Sequence, residues 1–201
     1  MKSLLSVVIL ILVAVLIWVT FFWQPEGEHT VLFSSAEPTG GDFTLHSPKG
    51  PVSLADFQGK VVLIYLGYTW CPDICPTNLT MMSAALSRLE ADEVDKVQGI
   101  FISVDPARDT MERLETYTQY FHKSLLGMTG SEHDIAEVAE HYGAAYRITK
   151  QDSATNYVVD HTSETYVIDP QGKLAEILPH GTLPGRILEA VRAQLSSQGS
   201  E

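Results

Sequence analysis

Val61-Val62-Leu63-Ile64-Tyr65-Leu66-Gly67-Tyr68-Thr69-Trp70-Cys71-Pro72-Asp73-Ile74-Cys75-Pro76-Thr77 decides how this chain is read. Val61 to Leu66 is an unbroken apolar run rich in β-branched residues, the pattern of a strand covered on both faces. Gly67 to Pro76 is a loop, and it holds both cysteines of the chain. Thr77 to Leu89 reads as a helix, with Leu79, Met82, Leu86 and Leu89 at spacings of three and four. A buried strand thus feeds a loop with two thiols at the mouth of a helix.

The same alternation continues outward. Phe43-Thr44-Leu45 and Val52-Ser53-Leu54 are short strand candidates, and Gly99 to Val104 is a second buried strand. Asp109 or Thr110 can cap a helix to about His122, and Ser131 can cap another over Glu132 to His141. Ala144 to Ile148 suits a strand. Thr165 to Ile168 and Lys173 to Leu178 suit a hairpin around Asp169-Pro170-Gln171-Gly172. Pro184 opens a final helix to about Leu195. Such an order predicts an α/β sandwich with a mixed sheet, and by fold analogy a thioredoxin-like one.

Ahead of this domain, Leu4 to Trp23 is apolar apart from Ser6 and Thr20. About 20 such residues can cross a hydrocarbon core of about 30 Å. The run is longer than a secretory apolar segment and ends without a small-residue cleavage pattern. It predicts one N-terminal transmembrane helix, residues 1–23. Lys2 before it and Glu26 and Glu28 after it place the N-terminus in the cytoplasm and the remainder on the periplasmic, or equivalent extracytoplasmic, side. Residues 24–41, rich in Gly, Pro and Ser, read as a tether, and residues 42–201 as the folded domain. Lys and Arg number 13 against 25 Asp and Glu, a net charge of −12, which argues against a nucleic-acid partner.

The cysteine loop carries the chemistry. A helix N-terminus offers unpaired N–H groups and a partial positive charge, and both favour thiolate over thiol. Three residues separate Cys71 from Cys75. If the loop enters the first helical turn, an i,i+4 pair sits about 5–6 Å apart at Cβ. That pair can close a disulfide or hold one soft ion, and the spacing leaves both open. Soft sulfur ligands select Cu(I) or Zn(II), and structural Zn wants four protein ligands. With only two cysteines, the third ligand should be a histidine.

Seven histidines are present: His29, His46, His122, His133, His141, His161 and His180. His29 is in the tether. His122, His133 and His141 lie at or near helix ends, where solvation is the ordinary state. His161, in Val158-Val159-Asp160-His161-Thr162-Ser163, ends a polar loop just before the hairpin. In a thioredoxin-like layout that loop faces the cysteines, but taken alone a capping or exposed His is the default there. No Pro occurs between Pro106 and Pro170, where disulfide reductases of this fold place the proline facing their cysteines. Asp160 could orient His161 or be an exposed loop residue. Asp105 ends a strand, and Arg108 could pair with a carboxylate. Met81 and Met82 are possible soft donors, though helical spacing puts Met82 in the core.

Three motifs together carry a resemblance. Gly67 to Pro76, Ser103-Val104-Asp105-Pro106-Ala107-Arg108-Asp109-Thr110, and Val159 to Ser163 followed by Tyr166-Val167-Ile168-Asp169-Pro170-Gln171-Gly172 resemble the Sco/SenC family of copper chaperones for cytochrome c oxidase assembly. Leu126 to Gly130 fits as well, and the order holds over about residues 42–195. The resemblance implies a thioredoxin-like domain tethered to a membrane. It implies a copper ion held by Cys71, Cys75 and His161 and delivered to the dinuclear copper centre of the oxidase. The partners it implies are the copper-receiving oxidase subunit and a thiol reductant protein.

Delivery of this kind needs no turnover of a small substrate. The alternative is a thiol–disulfide reductase that keeps the oxidase cysteines reduced through the Cys71–Cys75 pair, without need of His161. A peroxidase of the peroxiredoxin type would need an Arg beside the thiol, and the sequence shows no such motif.

Overall fold

The computed structural model describes residues 2–22, 38–149, 153 and 156–197. The chain divides into two compact units, Met1–Thr30 and Val31–Glu201. The described residues of the first form a helix, α1 (Lys2–Phe22). Its described side chains, Ser6 and residues 9–18, are all exposed. Among the described residues no helix is long and apolar enough to cross a membrane. The expected span from Leu4 to Trp23 includes side chains at 4, 5, 7, 8 and 19–23 that lie outside the described set, as does the tether over 24–37.

In the second unit the five-stranded sheet forms around β3 (Val61–Gly67), which is buried at every position. β4 (Val97–Ser103) and then β5 (Leu125–Met128) pair parallel on one side of it. On the other side β8 (Thr165–Ile168) pairs antiparallel with β3, and β9 (Leu174–Leu178) with β8, so the order is β5-β4-β3-β8-β9. A central strand that is apolar at every position needs cover on both faces, which the helices supply. The expected mixed sheet and thioredoxin-like α/β architecture are both present.

Helices α2 (Ile74–Leu86) and α3 (Met111–Phe121) cover the face that carries Tyr65 and Phe101. Gly127 in β5 lets α3 lie close, since a Cβ there would stand 3.1 Å from Leu114. On the opposite face Tyr166 meets Tyr142, just after α4 (Glu132–His141), with ring centroids 5.4 Å apart. α5 (Pro184–Ser197) packs against α2. Two small sheets lie outside the main one. One is β1 (Thr44–Ser47) with β2 (Gly50–Ser53), and the other is β6 (Tyr146–Thr149) with β7 (Val158–His161).

Several boundaries differ from expectation for local reasons. α2 begins at Ile74, so Cys75 and Pro76 are helical rather than in the loop. Pro76 is tolerated because first-turn N–H groups have no intrahelical partner to lose. Thr110 caps α3, its Oγ1 accepting from the Arg113 N–H at 3.2 Å. Asp109 is turned inward instead. Ser131 caps α4 as expected, in a reciprocal box with Asp134. β5 and β7 are strands that periodicity does not assign, because Leu125-Leu126-Gly127-Met128 and Val158-Val159-Asp160-His161 do not alternate apolar with polar residues. Leu54, expected to end the second short strand, instead opens a 3₁₀ turn, Leu54–Phe57.

Candidate metal centre

The cysteine loop leaves β3 and is held by a buried carboxylate. Asp109 accepts from the Thr69 N–H at 2.9 Å, from the Thr69 hydroxyl at 2.6 Å and from the Ser103 hydroxyl at 2.6 Å. Arg113 donates to Thr69 Oγ1 at 2.5 Å and places its guanidinium 4.0 Å from the centroid of the exposed Trp70 ring. Two residues on, Cys71 N–H bonds to the Tyr68 carbonyl at 3.2 Å. Short charge-assisted bonds of this kind fix a loop more firmly than neutral ones.

Cys71 is 9% exposed and Cys75 is fully buried; both are free thiols. The N–H of Cys75, in the first turn of α2, points at Cys71 Sγ at 3.4 Å. Hydrogen bonding from the Cys75 side chain pulls the Cys71 thiol well below the usual range, and N–H groups of Cys75 and Asp73 add to this. The same pairing holds the proton on Cys75, whose thiol is pushed up by it and by burial. One sulfur is thus primed as thiolate, while its partner keeps its proton.

Cys75 fits because Gly67 has no side chain. A Cβ at Gly67 would stand 2.7 Å from Cys75 Sγ, 3.0 Å from Phe101 and 3.2 Å from Tyr65. Burial pushes up the pKa of the Tyr65 hydroxyl near this sulfur.

His161 arrives from the other side on β7. Its Nε2 is 3.2 Å from Cys75 Sγ, and its Nδ1 is 2.6 Å from the Thr162 carbonyl. A carbonyl only accepts, so Nδ1 carries a hydrogen and Nε2 is the ring nitrogen that faces the sulfurs, free to offer a lone pair to an ion there. The expected polar loop is therefore a strand at this point. Asp160 does not orient the ring; it pairs at the surface with Arg147 at 3.5 Å, the two side chains 57% and 58% exposed.

Cys71, Cys75 and His161 bring one donor atom each to within 4.8 Å of one another, and among the described residues no fourth His, Cys, Asp or Glu joins that group. With bonds of about 2–2.3 Å, three donors around one ion would stand about 4 Å apart, so small rotations suffice. Two thiolates and an imidazole suit a soft, low-coordinate ion better than structural zinc.

The other candidates lie elsewhere. His46 is exposed on β1, backbone-paired with Thr129. His122 bonds Ser124 Oγ at 2.7 Å, with its pKa lowered by burial. His133 and His180 are exposed, His141 is half-buried, and His29 lies outside the described residues. Met82 is core and Met81 half-buried against it. Arg108 does meet a carboxylate, Asp105, at 2.6 Å. Sequence reasoning missed the Thr162 carbonyl and the Thr69–Asp109–Ser103 set. A backbone acceptor has no sequence signal, and the Asp109 side chain is explained equally well as a cap.

The SCO1/SenC family model matches residues 33–196. The chain is 35% identical over 177 residues to Protein SCO2 homolog, mitochondrial, of Mus musculus, covering 87% of this chain and 69% of that protein. Among solved structures it is similar to Arabidopsis thaliana ScoI with copper bound (32% identity, TM-score 0.71, covering 79% of this chain and 98% of that one). It is likewise similar to Bradyrhizobium japonicum ScoI with copper bound (34% identity, TM-score 0.71, covering 78% and 99%).

Proposed function

This chain belongs to the SCO1/SenC family, and from that membership we propose that it is a membrane-anchored chaperone that carries copper to the dinuclear centre of cytochrome c oxidase during assembly. Copper is its cargo. The observation that carries the reading is the convergence of two sulfurs and one imidazole nitrogen within 4.8 Å. Relatives with copper bound share the fold over most of this domain.

Cys71 offers its thiolate first, since its proton is already the easier to lose. Cys75 must give up a proton that the apo pair retains, so loading releases a proton and weakens in acid. His161 adds Nε2 as the third donor without a change of tautomer. A receiving subunit with its own cysteines and histidines would take the ion by ligand exchange. A thiol reductant protein keeps the pair reduced on the extracytoplasmic side, where disulfides otherwise form. The anchor is Leu4 to Trp23, supported by its length and lack of charge. Lys2 before it supports a cytoplasmic N-terminus.

The asymmetry of the two thiols favours one second reading, a thiol–disulfide reductase. There the Cys71 thiolate attacks a partner disulfide and forms a mixed disulfide. Cys75 then loses its proton and attacks Cys71 Sγ, releasing the partner as a dithiol.

Anaerobic Cu(I) titration of the reduced protein separates the two. The chaperone reading expects one tightly held Cu(I) per chain and a loss of more than about 100-fold in affinity in His161→Ala, beyond the range for outer-shell changes. Unchanged affinity in that variant overturns it.

A further inference from the structure

Arg108, Asp105 and Tyr157 lie outside the three-donor group, yet they form a buried clasp beside it. Arg108 Nε donates to Asp105 Oδ2 at 2.6 Å, and its Nη1 donates to the Tyr157 carbonyl at 2.9 Å. The Tyr157 hydroxyl donates to Asp105 Oδ1 at 2.5 Å, so both carboxylate oxygens are used. The guanidinium carbon stands 3.5 Å from the centroid of the Tyr157 ring and 5.6 Å from that of Tyr68. Side-chain exposure of the ion pair is 8% for Arg108 and 3% for Asp105.

The placement of this clasp matters because of topology. His161 stands on the β6–β7 sheet, which is separate from the five-stranded sheet that carries the cysteine loop. His161 itself is in no ladder of the main sheet, which the chain rejoins at Thr165, with Asn78 of α2 donating to the Ser163 carbonyl at 3.0 Å. At its far end β7 is held by Thr162, whose N–H bonds to the Ala145 carbonyl at 2.8 Å. At its near end Tyr157, one residue before β7, is held by Arg108. Next to it the Val159 N–H bonds to the Tyr68 hydroxyl at 3.4 Å, and the Tyr68 ring meets the His161 ring edge-on at 5.7 Å. A buried ion pair adds little net stability, and its best-attested use is to specify one arrangement.

We propose that Arg108, with Asp105 and Tyr157, is a positioning clasp that fixes β7 against the Asp105 turn and so presents the His161 imidazole to Cys71 and Cys75. The proposal rests on His161 being a copper donor, and its test keeps the two claims apart. Arg108→Met and Tyr157→Phe are made in the full-length chain, each alone and with His161→Ala, and Cu(I) affinity is read by anaerobic competition against a chromogenic chelator. Arg108→Met is expected to weaken binding about 10-fold, the low end for a residue that orients a ligand, and Tyr157→Phe a few-fold. In the His161→Ala background each should change affinity less than about twofold, since coupling is what a double-mutant cycle isolates.

Equal losses in both backgrounds overturn the clasp and leave the donor assignment standing. No loss in His161→Ala alone overturns the donor assignment, and the clasp with it. A copper-free reading checks the same point. In the reduced apo protein, ring-to-ring NOEs between Tyr68 and His161 should be seen in the wild type and weakened in Arg108→Met; unchanged NOEs overturn the proposal. Should Arg108→Met not fold, Tyr157→Phe carries both measurements, because it keeps the ion pair and the ring.

Discussion

His161 Nε2 and Cys75 Sγ stand 3.2 Å apart across 86 residues of sequence. The contact joins the first turn of α2 to a strand of a different sheet. It makes a two-thiol loop, open in principle to either disulfide or metal chemistry, into a three-donor site.

Asp160 neighbours His161 in sequence but pairs outward with Arg147. Asp160→Asn is therefore expected to leave Cu(I) affinity within about twofold and stability within about 0.5 kcal/mol, as for other exposed pairs. A tenfold loss of affinity would restore Asp160 as the group that orients the imidazole.

Cys71 is depressed by its hydrogen bonds, so its thiolate persists as pH falls through the range where an ordinary cysteine, near 8.5, becomes protonated. The iodoacetamide rate at Cys71 in the reduced apo protein should stay nearly flat from about pH 8 to 6. Cys75→Ala removes the largest cause and should restore a fall of about tenfold per unit below the ordinary value. Mass spectrometry of the labelled peptide reads both profiles, and a steep wild-type profile would sink the assignment.

Gly67 is open because Cys75 Sγ fills the space a methyl would take. Gly67→Ala drives a Cβ to 2.7 Å from the sulfur and to within 3.2 Å of two aromatic rings. Overpacking of this size costs about 1–3 kcal/mol. A lower Tm should accompany weaker Cu(I) binding, because the displaced atom is a donor. A variant as stable and as tight as wild type refutes the contact.

Asp109 accepts three bonds in a site it shares with Thr69 and Ser103. Asp109→Ala leaves three donors without an acceptor, each costing about 1–3 kcal/mol, so a loss of more than about 3 kcal/mol is expected. The urea midpoint measures it. A loss under 1 kcal/mol would mean the loop does not depend on this carboxylate.

Much of the molecule is legible in its residues. Val61 to Leu66 announces a central strand because no solvent-facing position interrupts it, and β3 is buried throughout. The hairpin around Asp169 is equally plain, its Oδ1 accepting from the N–H groups of Gln171 and Lys173 at 2.9 and 2.8 Å. The strands β5 and β7 are not, because neither Leu125 to Met128 nor Val158 to His161 alternates apolar with polar residues. Asp109 misleads for another reason: a carboxylate before a helix looks like a cap, and only a buried partner such as Thr69 reveals its other use.

Sequence alone determined the pair of thiols at a helix mouth. Adjacency along the chain is enough to bring Cys71 and Cys75 together, whatever the rest of the fold does. What only the tertiary structure decided is the third donor and its aim. The Nε2 of His161 faces the sulfurs because a separate hairpin carries it there and the Thr162 carbonyl holds its other nitrogen. That outcome depends on backbone atoms and on contacts between residues far apart in the chain, and neither leaves a pattern in the order of side chains.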